Sequence, residues 1–460
     1  MVTLQSARAA PPVEELLQSV HAKTGAVRYT VVNEQAFGSG GSVIRKLELA
    51  NGLTVILLRD AQAGVFAYHT WFRVGSRHEK PGKTGIAHLF EHLMFKATKH
   101  LKDGEFDRIM EKRGAQTNAA TWVDWTYYYE ALPSAGDNLE TVVKTEADRM
   151  ANMILNTKQL ESEREVVKNE RRYRVDDDPE GRIPEELYHL ALDGHPYGWP
   201  TIGWMADIEA LSLEDCLRFY KLFYSPNNAV VVLVGGFDEA EALTLIAKHY
   251  GALERQELPP EAPAPDVAVK EPRRKVIELP VTTERLEMGY PSPALLHADS
   301  PAMEVAMEIL FGGDSSRLHK RLVLDLELAS QVNGYASSFK LPGLTEVSIT
   351  TKSGHTAAEA EAVVLEELSK LAAAPPSDRE LEKARNQTES ALYRSLGTAN
   401  AKASKLGHYE VTGGDYRLFS KGVEDVRKVT AADVQRVIAT YFRPETRSVI
   451  VAKPPVKAAP

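Results

Sequence analysis

The chain has 460 residues, 43% of them hydrophobic and 26% charged, with a formal net charge of −9 at pH 7. That length exceeds one ordinary core and suggests two domains of about 200 residues each, while the acidic balance gives no electrostatic case for nucleic acid or an anionic membrane. The single cysteine, Cys216, excludes an internal disulfide and a cysteine-rich zinc module, so a bound metal would need His and carboxylate ligands. No apolar run reaches the roughly 20 residues of a membrane-spanning helix, and membrane insertion is not expected.

In chain order, residues 1–36 form an N-terminal segment. Its Ala7-Arg8-Ala9 triplet resembles the end of a cleaved secretory signal, although a plain Ala/Pro tail reads the same way. The triplet favours an exported, periplasmic protein, with a cytoplasmic one as the alternative. A short amphipathic segment spans Val13 to His21, followed by an irregular stretch to Ser42. Residues 43–49 read as a strand, and Asn51-Gly52 as a hairpin turn into a second strand over 53–58. A further strand covers 65–74, and a polar loop from Gly75 leads to a helix.

That helix, starting near Pro81 to Thr84, contains Gly85-Ile-Ala-His-Leu-Phe-Glu-His-Leu-Met-Phe95, with two imidazoles and a carboxylate within five residues. Residues four apart lie one above the other on a helix, so His88 and His92 share a face with Glu91 beside them. Two neutral imidazoles so placed can bind zinc, and the carboxylate can accept a proton from water. A His pair at this spacing is often a surface coincidence. Here the flanks are apolar, and buried His and Glu need partners.

A second helix covers Phe106 to Arg113 and ends at Gly114. Residues 115–132, rich in Thr, Trp and Tyr, are extended, either as an ordinary strand or as an exposed edge able to accept a peptide as an added strand. Helical periodicity dominates 135–174, where Glu163 and Glu170 lie two helical turns apart and share a face. Such a charge run is ordinarily a solvated surface. The His pair, however, lacks a third protein ligand, and a glutamate from a neighbouring helix would complete a two-His, one-Glu site with an open position.

Residues 208–235 read as a capped helix, a Pro turn and a buried strand, and residues 426–451 repeat that pattern. Ser212, Asp215, Arg218, Phe223 and Pro226 match Thr430, Asp433, Arg436, Tyr441 and Pro444 at one constant offset, which points to an internal duplication. A proline-rich linker over 254–275 separates two related α/β halves, 37–253 and 276–460. Only the first half has the His/Glu constellation.

With His88-x-x-Glu91-His92, the downstream Glu163-Arg164-x-Val166-Val167-x-x-Glu170 and the duplication together, the chain resembles the inverted-zincin peptidases, the pitrilysin and mitochondrial processing peptidase family. The likeness extends over nearly all of the chain, including Asn51-Gly-Leu-Thr-Val55, Gly114 to Tyr129, His195-Pro-Tyr-Gly198 and Phe311 to Leu318. The short length resembles the subfamily in which two chains make one working enzyme. The resemblance implies an α+β fold of two homologous halves, each a mostly antiparallel sheet packed with helices. It also implies Zn2+ held by His88, His92 and Glu170, Glu91 as general base, and Glu163 as a carboxylate orienting the catalytic site. Thr117, Asn118, Ala119, Ala120 and Thr121 correspond to the family's edge strand, which grips substrate backbone. The activity implied is zinc-dependent endopeptidase hydrolysis of short or unfolded peptides.

One departure matters. Family members carry in the second half an Arg and a Tyr seven residues apart that hold substrate and the developing oxyanion. Val323 and Ser330 occupy those positions here. A heterodimer is therefore expected, with a homologous partner that supplies the Arg/Tyr pair. The alternatives are substitution in place by Arg321 or Tyr335, a self-sufficient homodimer, or a non-catalytic, core-protein-like structural subunit.

Overall fold

The computed structural model describes residues 11–38, 41–261 and 271–455. The Ala7-Arg8-Ala9 triplet and part of the proline-rich linker lie outside the described residues. The first sheet opens with β1 (Tyr29–Phe37), β2 (Ser42–Leu49) and β3 (Thr54–Arg59), paired antiparallel in sequence order. Asn51-Gly52 makes the expected turn between β2 and β3, with Gly52 at φ 89°, a value open to Gly at little cost. β1 corrects the expected irregular stretch. A register shift between Val31 and Asn33 interrupts its pairing, and the polar Asn33, Glu34 and Gln35 obscure its two-residue period in the sequence.

β4 (Val65–Phe72), β5 (Gln116–Thr121), β6 (Thr126–Pro133) and β7 (Ala229–Gly235) complete this sheet in the order β1-β2-β3-β7-β4-β6-β5. β7 is buried throughout, as its Val-rich run requires. The second sheet holds β8 (Arg273–Glu278), β9 (Arg285–Ser292), β10 (Ala329–Ala336), β11 (Gly343–Thr351) and β12 (Ser448–Lys453), in the order β10-β11-β9-β12-β8.

Read from the other edge, the second sheet reproduces five strands of the first, with β3-β7-β4-β6-β5 matching β8-β12-β9-β11-β10. Each sheet has one parallel pair, β3 with β7 and β8 with β12, at the same place in an otherwise antiparallel order. The duplicated motif is equally regular. Ser212 and Asp215 form a reciprocal capping box at the start of the Leu213–Phe223 helix, and Thr430 and Asp433 do so at the Ala431–Tyr441 helix. A short Pro turn and then β7 or β12 follow in each case. The fold is α+β, built from two homologous halves.

The compact units do not coincide with the contiguous halves 37–253 and 276–460. Lys168–Pro200 belongs to the unit of the second sheet, and Ser395–Phe419 to that of the first. The Pro179–Ala191 helix packs on β9 and β12, with Leu187 against Gly289. The Ala399–Gly413 helix packs on β4 and β7. There, a Cβ on Gly407 would lie 2.2 Å from Nε1 of the Trp71 indole, so only glycine allows this approach.

In the second unit two acidic side chains lie on neighbouring strands, Glu287 buried and Glu346 half-buried. Burial pushes the Glu287 carboxyl on β9 up to about 8, against a hydrogen bond from Ser348, and Glu346 on β11 up to about 7, against one from Tyr188. The folded chain thus keeps protons that the unfolded chain releases near pH 4.3, so stability falls as pH rises from about 5 to 8. Glu287→Gln is expected to raise the melting temperature more at pH 8 than at pH 5. Equal shifts at the two pH values in thermal unfolding would contradict this.

Candidate metal centre

The helix that carries the His pair is Ile86–Leu93, only eight residues long. It begins after the expected Pro81 to Thr84 because Gly85, at φ 87°, takes the left-handed conformation in front of it. Ala87, Leu89, Phe90 and Leu93 are fully buried, while His88, Glu91 and His92 are partly exposed. Phe90 stacks near Phe219, Tyr220 and Tyr224. The Tyr128 hydroxyl donates to the Phe90 carbonyl at 3.2 Å and lies 2.9 Å from the Tyr224 hydroxyl. The helix packs beside β5 and β6, so one face is anchored in aromatic core while the polar trio remains accessible.

Glu163 and Glu170 lie on the Thr157–Arg171 helix. The expected helical stretch over 135–174 is divided, with a first helix ending at Asn152 and a π-helical turn, Arg172–Asp176, following the second. His88, His92 and Glu170 each offer a ligand atom, and these atoms lie within 4.8 Å of one another. The two imidazole centroids are 5.0 Å apart at 65°. Two nitrogens and one carboxylate oxygen, each partly exposed, fit a zinc ion that keeps an open coordination position. No other group of three or more His, Cys, Asp or Glu among the described residues is so placed.

Glu163 plays a different part from Glu170. Its Oε2 lies 3.7 Å from Nδ1 of His92 and its Oε1 2.6 Å from Nζ of Lys96. Burial pushes its carboxyl up, but the contacts with His92 and Lys96 together outweigh this and hold it below the usual value. Glu165 is exposed. On Glu170, Oε1 receives the Arg174 guanidinium at 3.1 Å. Arg174 follows Glu170 by four residues, the helical spacing at which side chains meet, whereas Lys96 lies beyond the end of the Ile86–Leu93 helix and reaches Glu163 from there.

Thr117, Asn118, Ala119, Ala120 and Thr121 all lie on β5, which ends the first sheet and pairs with β6 on one side. Val323 packs against the apolar core of the second unit, and the Ser330 hydroxyl donates to the Thr350 carbonyl at 3.3 Å. Neither supplies a cation or a phenol. Arg321 is engaged by Glu366 and Glu367, and Tyr335 stands on the edge strand β10, 51% exposed. Cys216 is buried, its thiol pushed up to about 12 by burial, which makes it a poor metal ligand.

The duplicated α+β halves and the two-His, one-Glu donor set together define a pitrilysin-like protein. Two family models match: Insulinase (Peptidase family M16) over residues 54–203, and Peptidase M16 inactive domain over residues 210–388. The zinc protease PqqE of Helicobacter pylori is 31% identical over 416 residues, covering 88% of this chain and 92% of that protein. The mitochondrial-processing peptidase subunit beta of Lentinula edodes is 27% identical over 413 residues, 86% of each chain. The crystal structure of a protease from Helicobacter pylori superposes with a TM-score of 0.84 at 29% identity, over 89% of this chain and 99% of that one. The chain belongs to peptidase family M16.

The placement of Glu163 behind His92 generates a prediction. Glu163→Gln should weaken zinc binding about 10–100-fold without abolishing it, and Glu165→Gln should leave it unchanged. Competition titration against a chromophoric chelator measures both, and an equal loss in the two variants would contradict the assignment.

Proposed function

We propose that this chain is the metal-bearing subunit of a zinc endopeptidase acting on short or unfolded peptides. The observation that carries the reading is the cluster of His88, His92 and Glu170, with Glu91 on the same helix as the two imidazoles. Zinc held by these three side chains supplies Lewis acidity toward a peptide carbonyl and lowers the pKa of water.

The chain's own groups do the rest. Glu91 accepts the proton of the attacking water and returns it to the leaving amine, which is general base and then general acid work. Glu163, paired with Lys96, fixes the imidazole of His92. The free side of β5 takes an extended peptide as an added strand, so main-chain hydrogen bonds supply affinity with little demand on side chains. Packing of the Ile86–Leu93 helix beside β5 brings the two functions together.

Val323 and Ser330 leave the developing oxyanion without a charged or phenolic donor from those positions, and Arg321 is committed to two glutamates. We therefore assign the missing donors to a homologous partner chain in a heterodimer. A purely structural subunit would have no use for Glu91.

Two variants separate the roles. Glu91→Gln is expected to retain zinc and lose roughly 10²–10⁴-fold in turnover, and Glu170→Gln to lose zinc; equal zinc retention in both overturns the ligand set. For the partner, a quenched-peptide assay should show little turnover by the chain alone. Turnover should appear on mixing with a homologue that lacks His-x-x-Glu-His and bears the Arg/Tyr pair. Full activity of the isolated chain contradicts the heterodimer.

A further inference from the structure

The first N–H groups of any helix have no partner within it, and the helix Ile86–Leu93 has no capping side chain of its own, because Gly85 stands at its N-cap. The partner comes from six residues upstream. Oε2 of Glu79 accepts the Gly85 N–H at 2.9 Å, and Oε1 accepts the Ala87 N–H at 2.8 Å. Glu79 is 7% exposed. Burial pushes its carboxyl well above the usual range, against the two backbone N–H groups, one on each oxygen, that pull it down.

Neighbouring contacts fix the same point. The Thr84 N–H and hydroxyl both donate to Oδ2 of Asp207, at 3.2 and 2.6 Å, and the Trp204 N–H donates to the Thr84 hydroxyl at 3.0 Å. Gly85 and Gly203 touch backbone to backbone, since a Cβ on Gly85 would fall 2.5 Å from the Ile202 carbonyl oxygen and one on Gly203 2.5 Å from the Gly85 Cα. These contacts all lie in the first unit.

We propose that Glu79 is a positioning residue for the metal centre, with its carboxyl group setting the rotational register of the turn that presents His88, Glu91 and His92. This inference rests on the metal-centre reading above. The two N–H groups it holds belong to the residues three and one before His88, and a slip of one residue about the helix axis turns each side chain by about 100°. Such a slip swings an imidazole off the face it shares with its partner. An apolar anchor such as Phe90 resists translation of the helix, and the two-oxygen clamp adds the angular constraint. A glutamine at this position has one acceptor oxygen, and its amide N–H₂ would confront the second backbone N–H, so the clamp fails at one end.

The test uses the full chain. In the metal-free parent, amide hydrogen exchange at Gly85 and Ala87 is expected to be slow, unlike exchange at an ordinary first helical turn; fast exchange at both overturns the proposal without need of any variant. Glu79→Gln should speed exchange at one or both of these amides at least tenfold and weaken zinc binding about 10–100-fold. Mixed with the homologous partner that restores turnover, it should lower kcat with KM little changed. Thr356→Ala, which removes the cap of a separate helix, is the control for general destabilisation, expected to lower the melting temperature with zinc affinity unaltered. A folded Glu79→Gln with parental zinc affinity overturns this inference and leaves the metal centre standing. A parent that binds no zinc overturns both.

Discussion

An eight-residue helix does not hold itself together in water, where isolated helices shorter than about 12–15 residues are marginal. The Ile86–Leu93 helix must nevertheless present two imidazoles and a carboxylate in a fixed arrangement. Its order is therefore imposed from outside. Leu89, Phe90 and Leu93, fully buried, each contribute about 1.5–3 kcal/mol relative to exposure. The close approach of Gly85 to Gly203 admits no side chain, and the Thr84 to Asp207 contacts tie down the entering backbone. The donor geometry is a product of tertiary packing rather than of helix propensity.

The duplication was not followed by a second His/Glu cluster among the described residues. After β4 the first half builds the His-bearing helix, and after β9 the second half builds Ser300–Phe311, which has no imidazole and buries Met303, Val305, Ala306 and Leu310. The same topological position serves as plain core in one half and as core on one face with chemistry on the other in the first. Each half also contributes one helix to the compact unit of the other's sheet, the Pro179–Ala191 helix against β9 and β12 and the Ala399–Gly413 helix against β4 and β7. The half with the His/Glu constellation is thus not a detachable module of the sequence.

Local spacing made the centre legible. His88, Glu91 and His92 stand out at helical intervals, the Gly52 turn and the capping boxes at Ser212 and Thr430 follow from side-chain chemistry, and the repeat offset exposes the two halves. What remained hidden has physical causes. β1 alternates in burial, but polar Asn33, Glu34 and Gln35 on both of its faces hide that period in the sequence. Arg174 sits at readable spacing but merges with a charged run, and Lys96 lies past the end of its helix, where no period marks it. Glu79 lies in a loop, where no periodicity marks it, and its role depends on a chain reversal that only the folded backbone supplies. The exchange of helices between units is set by long-range packing, which leaves no local pattern.

The central claim is that His88, His92 and Glu170 hold one zinc ion. X-ray absorption at the zinc K-edge of the loaded chain measures this directly. The account predicts one zinc per chain with nitrogen and oxygen neighbours at about 2.0–2.2 Å, the scattering signature of two imidazoles, and no sulfur. Zinc with one imidazole or none, or with a sulfur neighbour, would contradict it.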